Sequence, residues 1–201
     1  MNAEEFTALL LLSTAVSFTP GPNTTLSTAL AANFGWRHAL RFVLAVPVGW
    51  GLLLLLCAAG LGPLVLAVPL LQRAIQWSGV AYLMWLAWQL LRVRQPGAVD
   101  RQRLHVSFVE GVGLQFLNIK AWLLALAVVG GWVVGQPQPW QRFAVVLPTM
   151  LAFALASNLS YALVGALLRH WLAGPDGSGR RLCWFNRLMA LLLLLTAGWI
   201  L

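Results

Sequence analysis

Thr19-Pro20-Gly21-Pro22-Asn23 lies inside an apolar segment that runs from about Phe6 to about Ala32. Proline has no N–H to donate and its ring clashes with the preceding turn, so the Pro-Gly-Pro run stops a continuous helix. The helix must break there. In hydrocarbon a broken helix persists only where protein or a water-lined cavity satisfies the freed carbonyls, and such breaks build solute and ion sites in transporters. A plain proline kink is the simpler alternative.

Composition makes the bilayer the solvent. Of 201 residues 60% are hydrophobic and 9% charged, and the mean hydropathy is +0.80, which excludes a soluble domain. A net charge of +8 would suit nucleic acid if the basic residues shared one face. The thirteen Lys and Arg are instead the single Lys120 and arginines in short turns between apolar runs, which is a topology signal, and no nucleic-acid partner is expected. The N-terminus, Met1-Asn2-Ala3-Glu4-Glu5, is acidic where a cleaved signal peptide is basic. The first segment is therefore read as retained, with Glu4 and Glu5 solvated at its outer end. Cys57 and Cys183 form no CxxC and no metal-ligand spacing, so no disulfide, metal or cofactor is expected.

Six segments are long enough to cross roughly 30 Å of hydrocarbon at about 1.5 Å per residue. They fall near 6–32, 42–68, 70–91, 108–134, 143–168 and 182–201, giving an all-α polytopic membrane protein that forms one transporter domain over 1–201. The first, third and fifth connections carry Arg37, Arg41, Arg92, Arg94, Arg101, Arg103, Arg169, Arg180, Arg181 and Arg187. The other two carry only Arg73 and Arg142, so the odd loops are read as cytoplasmic and both termini as periplasmic. A polar linker at about 93–107 separates a first half, about 1–92, from a second, about 108–201. Three spans per half invert the second half relative to the first, the arrangement of an inverted repeat. Each half places an asparagine near mid-depth of its first span, Asn23 and Asn118.

Lys120 sits far from both ends of its segment, and burying a lysine there costs about 2.5–3.5 kcal/mol on insertion scales, which points to function rather than accident. A snorkelling lysine is the bland alternative, with poor reach from mid-span. Glu110, ten residues earlier, is about 15 Å away along a helix and so reads as an interfacial carboxylate and a candidate proton carrier. Gln115, Ser157, Asn158, Ser160 and Tyr161 add polar groups to the segments, either as interhelical hydrogen bonds or as solute contacts. Asn23 follows the prolines at a new helix start, where free N–H groups favour a carboxylate. Gly49, Gly51, Gly60, Gly62, Gly111, Gly113, Gly130, Gly131 and Gly165 are read as close-approach positions, and the tryptophans near segment ends, including Trp199, as interfacial anchors. No HExxH, GxSxG, P-loop or GxGxxG occurs, so nothing supports an enzyme.

Thr19-Pro20-Gly21-Pro22-Asn23, Gly79-Val80-Ala81-Tyr82-Leu83-Met84-Trp85-Leu86-Ala87-Trp88 and Gln115-Phe116-Leu117-Asn118-Ile119-Lys120 together resemble the LysE/RhtB amino-acid exporters across essentially the whole chain. Within that family they are most similar to the cysteine/O-acetylserine efflux branch. The resemblance implies a secondary exporter in the bacterial inner membrane, moving a small zwitterionic amino acid outward against proton entry. A homo-oligomer is compatible with it. The substrate site would draw on Thr19, Pro20, Gly21, Pro22, Asn23, Gln115, Asn118, Lys120 and Asn158, and the proton on Glu110 or Lys120. Two departures stand out. Most of the family reads Asn-Pro-Lys in the fourth span, and with Ile119 in the proline's place that helix is free to continue unbroken. The second span, Val43 to Leu56, carries Trp50 and no acidic residue, which favours small neutral substrates over cationic ones. A non-transporting membrane scaffold would explain the apolar bulk but not the polar groups at mid-depth. A thiol-redox enzyme would need its cysteines to meet, and Cys57 and Cys183 lie near opposite ends of their spans.

Overall fold

The computed structural model describes residues 1–93, 106–174 and 179–200; nearly all of the expected linker, with Arg94, Asp100, Arg101 and Arg103, lies outside the described residues. Nine helices are described: α1 Ala3–Phe18, α2 Pro22–Phe34, α3 Trp36–Ala58, α4 Leu61–Ala67, α5 Pro69–Arg92, α6 Phe108–Phe116, α7 Ile119–Trp132, α8 Pro139–Ala173 and α9 Arg180–Ile200. The protein is an all-helical, multi-pass membrane protein. Helices α3, α8 and α9 are each long and apolar enough to cross a bilayer, and α4 with α5, and α6 with α7, reach that length as bent pairs. Large apolar side chains such as Leu70, Val109 and Leu167 are exposed on the outside, as expected of a surface that faces lipid.

Helix α2 is the most enclosed element. Every residue from Thr24 to Asn33 is buried, polar ones included, so this helix meets protein on all sides and needs no apolar face. The main packings join α2 to α8, α5 to α9, and α3 to α6, α7 and α8.

Two expectations are corrected, and the question that Ile119 left open is answered. The second segment does not run from 42 to 68: α3 starts at Trp36 and ends at Ala58, because Gly60 turns left-handed at φ +87°, and Pro69 opens α5 at 92° to the short α4. The fourth segment does break without a proline, bending by 70° between α6 and α7. Among the glycines, Gly49, Gly62, Gly111 and Gly165 do sit against neighbouring helices, whereas Gly113, Gly130 and Gly131 face open space. Gly79 approaches as closely as Gly165: an added Cβ there would collide with the Leu117 carbonyl oxygen, so α5 cradles the corner at which the fourth segment bends.

A single proline inside a helix does not suffice to break it. Pro47 lies within α3 and Pro148 within the 35-residue α8, and both helices continue. Each removes one backbone bond; Pro20 and Pro22, flanking a glycine, remove two donors within one turn.

Candidate functional site

At the first break Pro20 cannot supply the N–H that the Val16 carbonyl would receive in a continuing helix, and Pro22 cannot supply that of Phe18. The Gly21 N–H, which would serve Ser17, instead donates to Thr24 Oγ1 at 2.9 Å, tying down the start of α2. The Phe18 carbonyl accepts a bond from the Tyr161 hydroxyl of α8 at 2.9 Å, and the Thr19 hydroxyl donates to the Ala15 carbonyl at 2.6 Å. Two of the four terminal carbonyls of α1 are thus satisfied by side chains. Those of Val16 and Ser17 lack their helical donors, and both residues line a cavity.

The second break reaches a similar geometry by other means. Asn118, in extended conformation at φ −100° and ψ 98°, caps α7 by accepting the Lys120 N–H at 3.1 Å. The carbonyl of Phe116, the last residue of α6, accepts the Trp122 indole N–H at 3.0 Å. Each outgoing half-helix therefore ends in a phenylalanine whose carbonyl is taken by an aromatic donor from a later helix.

Between the breaks lies a cavity of about 200 Å³. The first break contributes Val16, Ser17, Thr19, Gly21, Pro22, Asn23 and Thr24; the second contributes Gln115, Asn118, Lys120, Ala121 and Leu124. Helix α3 adds Val46 and Trp50, and α8 adds Met150, Ala154, Ser157 and Asn158. At this size the space suits a small solute, being below the roughly 300–1,000 Å³ of drug-sized pockets. Pro20 lines instead an adjoining space of about 420 Å³ that extends to Leu192, Thr196 and Trp199 of α9. Glu110 lines neither; it closes a capping box at the start of α6, its carboxylate accepting the Ser107 N–H at 2.6 Å.

Lys120 faces both spaces and its ammonium stands 4.2 Å from the centroid of the Trp199 ring. A cation over an indole face is attracted by the ring quadrupole, so Trp199, read as an interfacial anchor, also covers this lysine on the lipid side. Lys120 occupies the first turn of α7, where the helix dipole adds positive potential to its own charge. The N-termini of α2 and α7 and the Lys120 ammonium thus gather positive potential at one cavity, while the carbonyls ending α1 supply negative potential to it.

The amides divide into cavity lining and scaffold. Asn23 and Gln115 exchange two hydrogen bonds, Asn23 Nδ2 to Gln115 Oε1 at 2.9 Å and Gln115 Nε2 to Asn23 Oδ1 at 3.0 Å, joining the two broken spans across 92 residues of sequence. Asn158, which also lines the cavity, accepts the Ser27 hydroxyl at 2.8 Å and donates to the Ala154 carbonyl at 2.8 Å, joining α2 to α8. Asn33 and Asn186, which the sequence did not single out, form a second reciprocal buried pair at 2.8 and 3.0 Å, and Asn186 also donates to the Val93 carbonyl. Neither has a motif around it; their signal was only that an amide inside an apolar segment needs a partner. Glu5, expected to be solvated, accepts a two-pronged pairing from Arg142 at 3.1 and 3.3 Å, while its backbone carbonyl accepts the Trp132 indole N–H. Cys57 lies in the last turn of α3 and Cys183 in the first of α9, and among the described residues no cluster of His, Cys, Asp and Glu could hold a metal ion.

A family model for the LysE type translocator matches residues 14–201. The chain belongs to that family. The translocator is also similar to proteins named cysteine/O-acetylserine efflux protein. That of Salmonella paratyphi A is 31% identical over 186 residues, covering 90% of this chain and 89% of the relative. Those of Escherichia coli O139:H28 and Escherichia coli K12 are each 30% identical, covering 90% and 76% of this chain and 89% and 78% of the relatives. No solved structure was found to match the chain. Membership makes the protein a membrane transporter rather than an enzyme.

Proposed function

We propose that this translocator is a secondary exporter of small neutral amino acids or their derivatives, of the cysteine/O-acetylserine or homoserine/threonine/leucine kind, driven by proton entry across a bacterial inner membrane. The observation that carries the reading is the set of groups lining the cavity of about 200 Å³: the Val16 and Ser17 residues that end α1 and the start of α2 at the first break, and Lys120 with the start of α7 at the second. A zwitterion presents one carboxylate and one ammonium. The carboxylate suits Lys120 and the helix starts at Pro22 and Ile119, and the ammonium suits the carbonyls ending α1. Thr19, Gly21, Pro22, Asn23, Gln115 and Asn118 complete the wall, Pro20 holds the break open, and Asn158 fixes the helix behind it. Among the described residues no acidic side chain lines the cavity to hold a cationic substrate side chain, and Trp50 forms part of its wall from α3.

In this reading the six segments cross the membrane as two inverted halves, 1–92 and 108–201, with both termini periplasmic. One proton moving inward across 100 mV supplies about 2.3 kcal/mol, roughly a 40-fold concentration ratio, which is enough for an overflow exporter without a nucleotide. Of the two candidate proton carriers, Glu110 is spent on the Ser107 cap outside the cavity. Lys120 is inside it, and we route the proton there. The names of the efflux relatives support the substrate class.

The decisive experiment loads proteoliposomes with a panel of radiolabelled amino acids and imposes a pH gradient. Protein-dependent movement of cysteine, O-acetylserine, homoserine or threonine, accelerated by the proton gradient, is the expected result. Movement restricted to cationic amino acids, or indifferent to the gradient, would remove the substrate class or the coupling respectively.

A further inference from the structure

A second polar cavity, of about 650 Å³, lies at the opposite end of α2 from the transport cavity, around the corner between α2 and α3. Phe34, Gly35, Trp36, Arg37, His38, Arg41 and Arg169 line it. It brings three arginines from two separate helices to one place, with no carboxylate among the described residues of the lining. Among the described residues no acidic partner is found for any of the three arginines.

The arrangement is electrostatically unfavourable as it stands. Arg37 and Arg41 are one turn apart on α3, and like charges so spaced repel. They also occupy the N-terminal turns of α3, where the helix dipole disfavours cations, and the N-cap residue Gly35 provides no side chain to quench the free N–H groups. Arg169 comes from the end of α8 and lies against that same N-cap, where a Cβ on Gly35 would stand 2.9 Å from its Nη1. Gly35 has φ +88°, a conformation that suits glycine, so the corner leaves room for the guanidinium. A topology signal requires positive charge near this membrane face. It does not require three guanidiniums to converge on one helix start, and a bound anion would relieve every one of these repulsions.

We propose that this cleft binds the phosphate of an anionic phospholipid headgroup from the leaflet at the arginine-rich face. Arginine forks match phosphate oxygens two at a time, and the exposed N–H groups at the start of α3 add donors on the same side. The site is at the level of the headgroups, because Arg92, Arg180 and Arg181 end or begin helices at the same face. Trp36 and Phe34 supply the apolar wall that a soluble phosphate would not need and that the glycerol end of a lipid would. The site is separate from the transport cavity, and its test reads binding rather than export.

The full-length protein, purified in a neutral detergent, is titrated with phosphatidylglycerol, with phosphatidylcholine and with inorganic phosphate, reading retained lipid by native mass spectrometry and the shift in Tm. Phosphatidylglycerol is expected to be retained and to raise Tm, and the other two to do neither. Substituting Arg169→Gln should weaken retention about fivefold, in line with the usual contribution of one arginine at an anionic surface. The triple change of Arg37, Arg41 and Arg169 to lysine keeps the charge that sets topology and loses the forks, so it should weaken retention at least as much. Arg73→Lys at the other face should change nothing. If the triple lysine variant fails to fold, the single Arg41→Lys change at an exposed position serves in its place, with a smaller loss expected. Equal retention by wild type and the arginine variants would reduce the cluster to a topology signal and overturn the site. Protection by inorganic phosphate equal to that by phosphatidylglycerol would overturn the lipid as its occupant.

Discussion

The two breaks that frame the cavity are built on opposite principles. The first works by subtraction: Pro20 and Pro22 withdraw the donors that would carry α1 onward, and no side chain is needed to make the helix stop. The second works by addition, since every residue from Phe116 to Lys120 has an N–H, and α6 ends because Asn118 offers α7 a better start than continuation would. A break written in prolines is visible in the sequence from outside. A break written in a cap and a packing corner is visible only once the partners, Trp122 and Gly79, are in place. The first should therefore be robust to changes around it and the second fragile.

The largest expected effect tests what the two breaks make together. Lys120→Gln removes the one cationic side chain that lines the cavity among the described residues and should nearly abolish export while leaving the protein expressed, because losing a charge from mid-span relieves insertion cost. Lys120→Arg should recover little, since a planar fork does not replace a compact ammonium at a substrate carboxylate. Resistance to a toxic amino acid and its appearance in the medium are the readouts. Undiminished export by the glutamine variant would end the account of carboxylate binding.

The next effect falls on the second break alone. Gly79→Ala would drive a methyl group into the Leu117 carbonyl at the corner, and overpacking of this kind costs about 1–3 kcal/mol. Gly113→Ala, one turn before the same corner but facing open space, should be neutral or slightly stabilising. Thermal unfolding in detergent compares the two, and equal behaviour would mean that α5 does not seat the corner. The motif that begins at Gly79 was readable as a resemblance, yet the reason for its glycine was not. That reason is a contact with a residue 38 positions away.

What was legible follows the same division. The all-helical membrane architecture, the first break and the polar group at Lys120 could be read because each is local: apolar length, proline chemistry and an isolated charge. The split of the second segment at Gly60 was not, since a glycine in an apolar run signals close packing as readily as a left-handed stop, and only φ distinguishes them. Asn33, Asn186 and the Glu5–Arg142 pair were missed because each acquires its meaning from a partner more than a hundred residues distant. The second break was read as optional because the family proline is absent, when the capping asparagine one residue earlier carries the same instruction.

That substitution can be turned into a test of the comparison. Asn118→Ala should cost about 0.5–2 kcal/mol, the usual price of an N-cap. Ile119→Pro should be tolerated, since residue 119 opens α7, where proline is favoured, and Asn118 already has the extended backbone that a following proline demands. Introduced together, the proline should recover part of the loss, converting a break by addition into a break by subtraction. Stability of the four variants in a double-mutant cycle measures the recovery. A purely additive outcome would show that cap and proline do not perform the same task.

The smallest effect concerns how the outer half-helices begin. Helices α1 and α6 both open with a capping box, Asn2 with Glu5 and Ser107 with Glu110, but Glu5 is also paired with Arg142. The hydrogen bond with the Asn2 backbone, and then the Arg142 guanidinium, hold the Glu5 carboxyl below its ordinary value of 4.5. A lowered carboxyl pKa contributes stability that is fully present above the unfolded value and is lost as pH falls through the folded one. Glu5→Gln should therefore lower Tm slightly at pH 7 and not at all at a pH well below 4.5, the two curves converging in acid. Raising the salt concentration should shrink the difference at pH 7, because the pair is only partly screened from water. Glu110→Gln should cost less at pH 7, since glutamine also closes a capping box and no arginine partner is lost among the described residues. If the two variants lose the same Tm at pH 7, the Arg142 pairing adds nothing to the cap, and the start of α1 is held by Trp132 and packing alone.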